Sequence, residues 1–319
     1  MNSLVLFRNI GALEIVARLL AGCAAHFTPT QNTEVEQIDG GAMQFGQWVA
    51  GCSNLGTCTA LAILDNKPDE DEPTIVRVTF AKQFKCSVII TIQLDASSIT
   101  RLSDNAACDL KRNLLAESET GTAALTENSI NYEVPREGFS KLNAAIEHWQ
   151  GIQPQGVSNV FVVTPFAAQP INEFTPPRWI SEAAENCPNG KLSGALRAWR
   201  GVNGSLLWQA RCDGEGLNTL SDWYYSSNSS AVATRVIFPS SKGSATPHNS
   251  ELDSENGLLT MTHYFGGQYS YSYEDCGIYR TYGWSTDGLK LINERFMPKC
   301  GTGIDRDDWI VTFQAVVLN

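Results

Sequence analysis

Nine cysteines are the residues best equipped for chemistry in this 319-residue chain: Cys23, Cys52, Cys58, Cys86, Cys108, Cys187, Cys212, Cys276 and Cys300. None stands in a C-x-x-C pair, so neither a zinc ribbon nor a thioredoxin-like redox site is indicated. With Cys23 set aside an even number remains, as complete disulfide pairing requires. Three pairs bracket turn signals. Cys52 and Cys58 are centred on Leu55, in an Asn54–Gly56 loop; Cys276 and Cys300 are centred on position 288, in the Asp287-Gly288 turn. Cys187 and Cys212 are centred between Trp199 and Arg200, a little before Asn203-Gly204. Symmetry about a hairpin turn sets two Cβ atoms opposite each other, and each such bond contributes about 2–4 kcal/mol. Cys86 and Cys108 form the fourth pair by elimination.

Other chemistry is harder to find. His26, His148, His248 and His263 are scattered. A Ser-His-Asp constellation built on His263 competes with an ordinary structural histidine, and the structural role is favoured. Ser285 lies between Gly283 and Gly288, but the spacing is one residue too long for a nucleophile elbow. The acidic run 65–72 lacks calcium-loop spacing, the segment Asp253–Gly257 reads as a β-turn, and Asp305, Asp307 and Asp308 read as a solvated turn before an ion site. No metal, cofactor or catalytic residue is therefore assigned. Tyr269, Tyr271 and Tyr273 alternate, so one strand face would carry all three rings, a candidate contact surface for a protein or a glycan. Trp223, Tyr224, Tyr225, Tyr279, Tyr282 and Trp284 add rings nearby in sequence. The competing expectation is that these rings fill a β-sheet core.

At the N-terminus, Arg8 precedes an apolar run from Ile10 to Leu20, followed by Leu20-Ala21-Gly22-Cys23. The tetrapeptide resembles the lipobox of bacterial lipoproteins, whose cysteine thiol takes the lipid and becomes the first mature residue. Glu14 and Arg18 interrupt the run, and a mid-helix charge costs about 2.5–3.5 kcal/mol on insertion, although their i, i+4 spacing allows them to pair. The run is too short for a convincing membrane span. Residues 1–22 are expected as a signal peptide and 23–44 as a tether.

The elements that must position these residues are mostly strands. A net charge of -11 and the lack of any basic run argue against nucleic acid as a partner. Strand signals cover Gln47–Ala50, Thr74–Phe80, Cys86–Leu94, Val160–Val163, Ser205–Arg211, Ala231–Phe238, Gly257–Tyr264, Gly277–Trp284 and Leu289–Phe296. The region around Cys108 is less regular, with a weak helix signal over Leu110–Glu117. One clear helix is expected over 137–150, because Phe139, Leu142, Ile146 and Trp149 share a helical face. Ala167–Pro177 carries three prolines and suggests a boundary between lobes at 45–166 and 178–319. The expected class is α+β, mainly antiparallel, with disulfide-stapled hairpins.

Glu274-Asp275-Cys276-Gly277, Trp284 to Gly288, Met297-Pro298-Lys299-Cys300 and Asp308-Trp309 resemble the ending of the bacterial family called domain of unknown function 1176. Phe45-Gly46-Gln47-Trp48 with Cys52-Ser53-Asn54 and Cys58-Thr59-Ala60 resembles its opening; Cys187, Cys212 and Leu206-Leu207-Trp208 fit its middle less closely. The likeness spans roughly Phe45 to Ala315. It implies an exported protein whose six characteristic cysteines are Cys52, Cys58, Cys187, Cys212, Cys276 and Cys300, with no established activity. Cys86 and Cys108 are extra to that pattern. The expected function is an exported envelope protein, held to the periplasmic face of a membrane by lipid on Cys23 or else soluble in the periplasm, serving as a non-catalytic binding or structural component. The alternative is a periplasmic hydrolase, which would need a deep pocket holding His263 and a carboxylate.

Overall fold

A computed structural model describes residues 42–64, 74–81, 83–94, 98–116, 120–127, 130–152, 160–162, 166, 168–172, 175, 179, 187, 196–201, 204–212, 217–228, 232–265, 274–285 and 288–318. The first sheet is an antiparallel meander of six strands, β1 (Ala42–Phe45), β2 (Trp48–Cys52), β3 (Cys58–Ile63), β4 (Ile75–Phe80), β5 (Val88–Gln93) and β6 (Ile99–Arg101), in sequence order. Strand side chains alternate between faces, so each apolar run serves two cores. Trp48, Ala50, Ala60, Val76, Val78, Ile90 and Ile92 face the helices. Val49, Leu61 and Ile75 point the other way, into a core shared with Ile278, Phe296, Met297, Trp309 and Ile310.

Two helices cover the first face. Helix α1 (Asp104–Leu114) starts at Ser103, whose Oγ accepts from the Ala106 amide, and buries Ala107, Cys108, Leu110 and Leu114. Its apolar side is half small residues, so its start six residues before Leu110 carries little hydrophobic signal. Helix α2 (Phe139–Ile152) matches the expected span within two residues and buries Phe139, Leu142 and Ile146. Gly138, at φ +85°, stands at its entrance, and a Cβ there would collide with the Phe45 carbonyl in the β1–β2 turn. Between the helices, β7 (Thr122–Glu127) and β8 (Ile130–Pro135) pair as a hairpin that the sequence signals missed.

A second antiparallel sheet holds β10 (Ala168–Pro170), β11 (Arg197–Gly201), β12 (Leu206–Arg211), β13 (Ser221–Ser226) and β14 (Thr234–Arg235). The hairpin of β15 (Phe238–Ser240) and β16 (Gly243–Ala245) leads to a third sheet of β17 (Glu251–Asp253), β18 (Leu258–Tyr264), β19 (Gly277–Ser285), β20 (Gly288–Met297) and β21 (Ile310–Gln314). A bulge shifts the β19–β20 register, taking Thr281 opposite Asn293 but Tyr282 opposite Leu291. The extra residue, Ile292, changes the phase of the strand. Leu291 before it and Phe296 after it are therefore both buried. The third sheet joins both neighbours: Tyr282, Trp284 and Leu291 pack with Trp199, Leu207 and Trp223 of the second, while Ile278 and Phe296 pack with the first. The expected lobe boundary falls in a stretch of which only part is described. β9 (Val160–Val162) runs parallel to β22 (Val316–Leu318), the one parallel pair among the described strands.

Four disulfides are formed. Cys52 and Cys58 are direct cross-strand partners in the β2–β3 hairpin, with Cα atoms 3.9 Å apart. Cys276 and Cys300 close the base of the β19–β20 hairpin. Cys86–Cys108 fastens the 3-10 turn Lys85–Ser87 to α1. Cys187–Cys212 also forms, but not by symmetry about a turn. Arg200 pairs with Leu206, which centres that turn on position 203, so the residue facing Cys212 would be 194 and not 187. The bond ties a preceding segment to the end of β12. Disulfides of this number belong to an oxidising, exported location. No helix among the described residues is long and apolar enough to cross a membrane.

Candidate functional site

The third sheet ends in an open cleft of about 550 Å³, lined by Tyr264 from β18, Glu274 and Asp275 before β19, and Gly301, Gly303, Ile304, Asp305 and Arg306 after β20. Its two walls adjoin the Cys276–Cys300 disulfide in sequence, Asp275 directly before the first cysteine and Gly301 directly after the second. The Asp275 carboxylate accepts from the Gly301 amide at 3.0 Å and from the Gly303 amide at 2.5 Å. Both glycines have positive φ, 74° and 65°, and their amides, with one residue between them, point toward one carboxylate. Asp305 accepts from the Asp307 amide and caps a 3-10 turn, Arg306–Asp308. Arg306 donates to the Thr262 hydroxyl at 3.2 Å and lies over the Tyr279 ring.

Burial raises the Tyr264 phenol above its ordinary range; Arg306 opposes the shift, and the Glu274 and Asp305 carboxylates add to it. The phenol thus stays protonated and able to donate. Chemically the cleft is polar and mostly acidic, suited to hydrogen bonding more than to burial of apolar surface.

The three C-terminal aspartates have separate roles. Asp305 caps, Asp307 is exposed beside Arg295, and Asp308 binds Arg77 of β4 at 2.8 Å and Gln93 of β5 at 2.9 Å. Burial lowers the Arg77 guanidinium, while Asp308 raises it. Asp253 accepts from the Glu255 and Asn256 amides, which closes the expected turn and holds its carboxyl below the usual range, first through Asn256. No group of three or more His, Cys, Asp or Glu side chains is arranged to hold a metal among the described residues.

His263 stacks on His248, with ring centroids 4.6 Å apart, and meets Phe265 edge-on. Among the described residues no carboxylate bonds to it. Burial lowers both imidazoles, helped by Arg280 for His263 and by His263 for His248, which is held at about 4. Sequence reasoning missed this pair, because nothing local links positions 248 and 263. His148 is exposed on α2.

The rings of β13 and β19 mostly fill cores. Trp223 stacks on Trp199, and Trp223 and Tyr282 are fully buried. Trp284 packs against Phe166 and Tyr225, and Tyr224 sits with Trp179 and Trp208 on the opposite face of the second sheet. Tyr269, Tyr271, Tyr273 and Cys23 lie outside the described residues, as do His26 and the run 65–72.

Removing the Cys276–Cys300 link by alanine at both positions is expected to cost about 3 kcal/mol, from the loop of 24 residues it closes. Urea denaturation measures the cost, and hydrogen exchange should show faster opening at Gly301–Ile304. Unchanged exchange there would mean that the disulfide does not hold the cleft walls.

No family model matches the chain, and no curated protein or solved structure matches it either.

Proposed function

We propose that the protein is a binding component of a bacterial envelope, tethered by lipid on Cys23, with the cleft of the third sheet as its binding end. The observation that carries this is a coincidence in one place. Tyr264 and Glu274, which bracket the tyrosine segment in the chain, both line the cleft whose walls adjoin the Cys276–Cys300 disulfide. Tyr269, Tyr271 and Tyr273 then provide the contact face and the cleft provides polar anchoring, for an envelope protein or a glycan. The lipobox-like Leu20-Ala21-Gly22-Cys23 supports the tether. The resemblance to the exported six-cysteine family supports the address, and its six positions are disulfide-bonded in three pairs.

Mass spectrometry of the mature protein from membrane fractions should find a lipid on Cys23 and no free thiol among the other eight cysteines. Alanine at Tyr269, Tyr271 and Tyr273 together should abolish retention of the envelope partner with an unchanged thermal midpoint. Unfolding of that variant would make the three rings core residues and remove the proposed contact face.

A further inference from the structure

The stacked histidines adjoin the cleft wall along the chain. His263 precedes Tyr264 in β18, and His248 lies in the segment that leads from β16 to β17. That segment bonds its neighbours through backbone and side chains alike: Gln209 Nε2 donates to the Ser250 carbonyl and Trp223 Nε1 to the Ser250 hydroxyl, both at 2.7 Å. The Thr262 amide donates to the His248 carbonyl at 3.2 Å, the Ser221 amide to the Pro247 carbonyl, and the Asn249 amide to the Thr219 carbonyl.

Two asparagine side chains add to these bonds. Asn249, left-handed at φ 42°, donates from Nδ2 to the carbonyls of Leu217 and Thr262, and its Oδ1 accepts from the Thr219 amide. Asn218 in turn pins the cleft wall: its Nδ2 donates to the Tyr264 carbonyl at 2.7 Å, and its Oδ1 accepts from the Tyr264 amide at 2.8 Å. Among the described residues the two imidazoles therefore lie across a seam between this segment and β18, joined by the Thr262–His248 backbone bond and the Asn249 side chain, while β18 keeps its regular ladder to β19.

We propose that the His248–His263 stack is an acid-sensitive clasp, which holds Tyr264 in the cleft wall while both rings are neutral and releases it when either takes up a proton. Among the described residues no carboxylate bonds either ring. The charged group acting on His263 is Arg280 of β19, whose own partner is Glu294 of β20; Arg306 bonds Thr262; and His248 Nδ1 is buried with no hydrogen-bond partner among the described residues. An imidazolium would stand against a second ring and beside a guanidinium. The direction follows from linkage. Burial holds the His248 imidazole below 6.5, at about 4, so the open or unfolded state takes up protons first. The clasp is fully closed above pH 6.5 and weakens as pH falls from there toward 4.

The use of the clasp, release of a bound partner in acid, rests on the cleft being the binding end; its existence does not. The test is hydrogen exchange on the full chain, corrected for intrinsic rates, at pH 6.5 and pH 4. Protection at 217–221, 246–250 and 262–264 should fall by roughly tenfold or more in the natural protein, and should persist in the double variant His248→Phe, His263→Phe, which keeps stacked rings without titration. Equal loss in that variant, or full protection at the lower pH in the natural protein, overturns the clasp. If the double variant does not fold, the His248 ring-proton NMR titration of the natural protein decides: a midpoint near 4 supports the clasp, and one near 6.5 overturns it. Failure of partner retention in the tyrosine variant would leave these measurements unchanged, so the two failures are distinguishable.

Discussion

Replacing Glu294 with glutamine should destabilise the protein by about 3–5 kcal/mol, the cost of leaving a buried charge without its partner. Glu294 is fully buried. One carboxylate oxygen accepts from Arg280 Nε at 2.6 Å, and the other accepts from the Ser241 hydroxyl at 2.5 Å and the Thr312 hydroxyl at 3.2 Å. Arg280 is itself only 8% exposed, so water cannot take over from the lost carboxylate. The group also joins three elements: the β15–β16 hairpin through Ser241, β19 through Arg280 and β21 through Thr312. Equilibrium urea denaturation reads the effect. A loss under about 1 kcal/mol would mean that the pair behaves like an exposed salt bridge. Apolar residues of matching size at both positions should cost much less than the single change, because they remove the charge along with its partner.

Trp309→Ala is expected to cost about 3–5 kcal/mol as a large-to-small core change. The indole is fully buried, donates from Nε1 to the Ile304 carbonyl at 3.0 Å, and fills the core between Val49, Leu61 and Ile75 of the first sheet and Phe296 of the third. Its neighbour Asp308 holds Arg77 and Gln93, so loss of the ring should also loosen that link. Denaturation measures the loss, and hydrogen exchange should speed up in β2 and β3 as well as in β21. Exchange confined to β21 would show that the C-terminal segment does not support the first sheet.

Both changes concern residues of which the sequence signals say little. Glu294 sits in a strand that reads as amphipathic, and Trp309 follows an acidic turn. Periodicity finds β4, β5, β18, β19 and β20 because side-chain alternation is a property of neighbours along the chain. It finds α2 because four large apolar residues share one helical face. It finds only the end of α1, where alanines and a cysteine make much of the buried side, and it misses the β7–β8 hairpin.

The cysteines show the same division. Cys52–Cys58 could be read from a hairpin six residues long, since loop and register are both local. Cys187–Cys212 also forms, yet the turn between them lies off their midpoint and the bond staples a segment outside the hairpin.

Types and near spacings thus determine the mainly antiparallel class, the longer helix and the Cys52–Cys58 and Cys276–Cys300 staples, because these arise from contacts within a few dozen residues. The cleft required three separate segments, 264, 274–275 and 301–306, to converge. The histidine stack required position 248 to cross to β18, and the buried Glu294 cluster required Ser241, Arg280 and Thr312 to meet. Packing of one sheet against another brings these groups together, and a single strand's own pattern carries no record of which face of which neighbour it will meet.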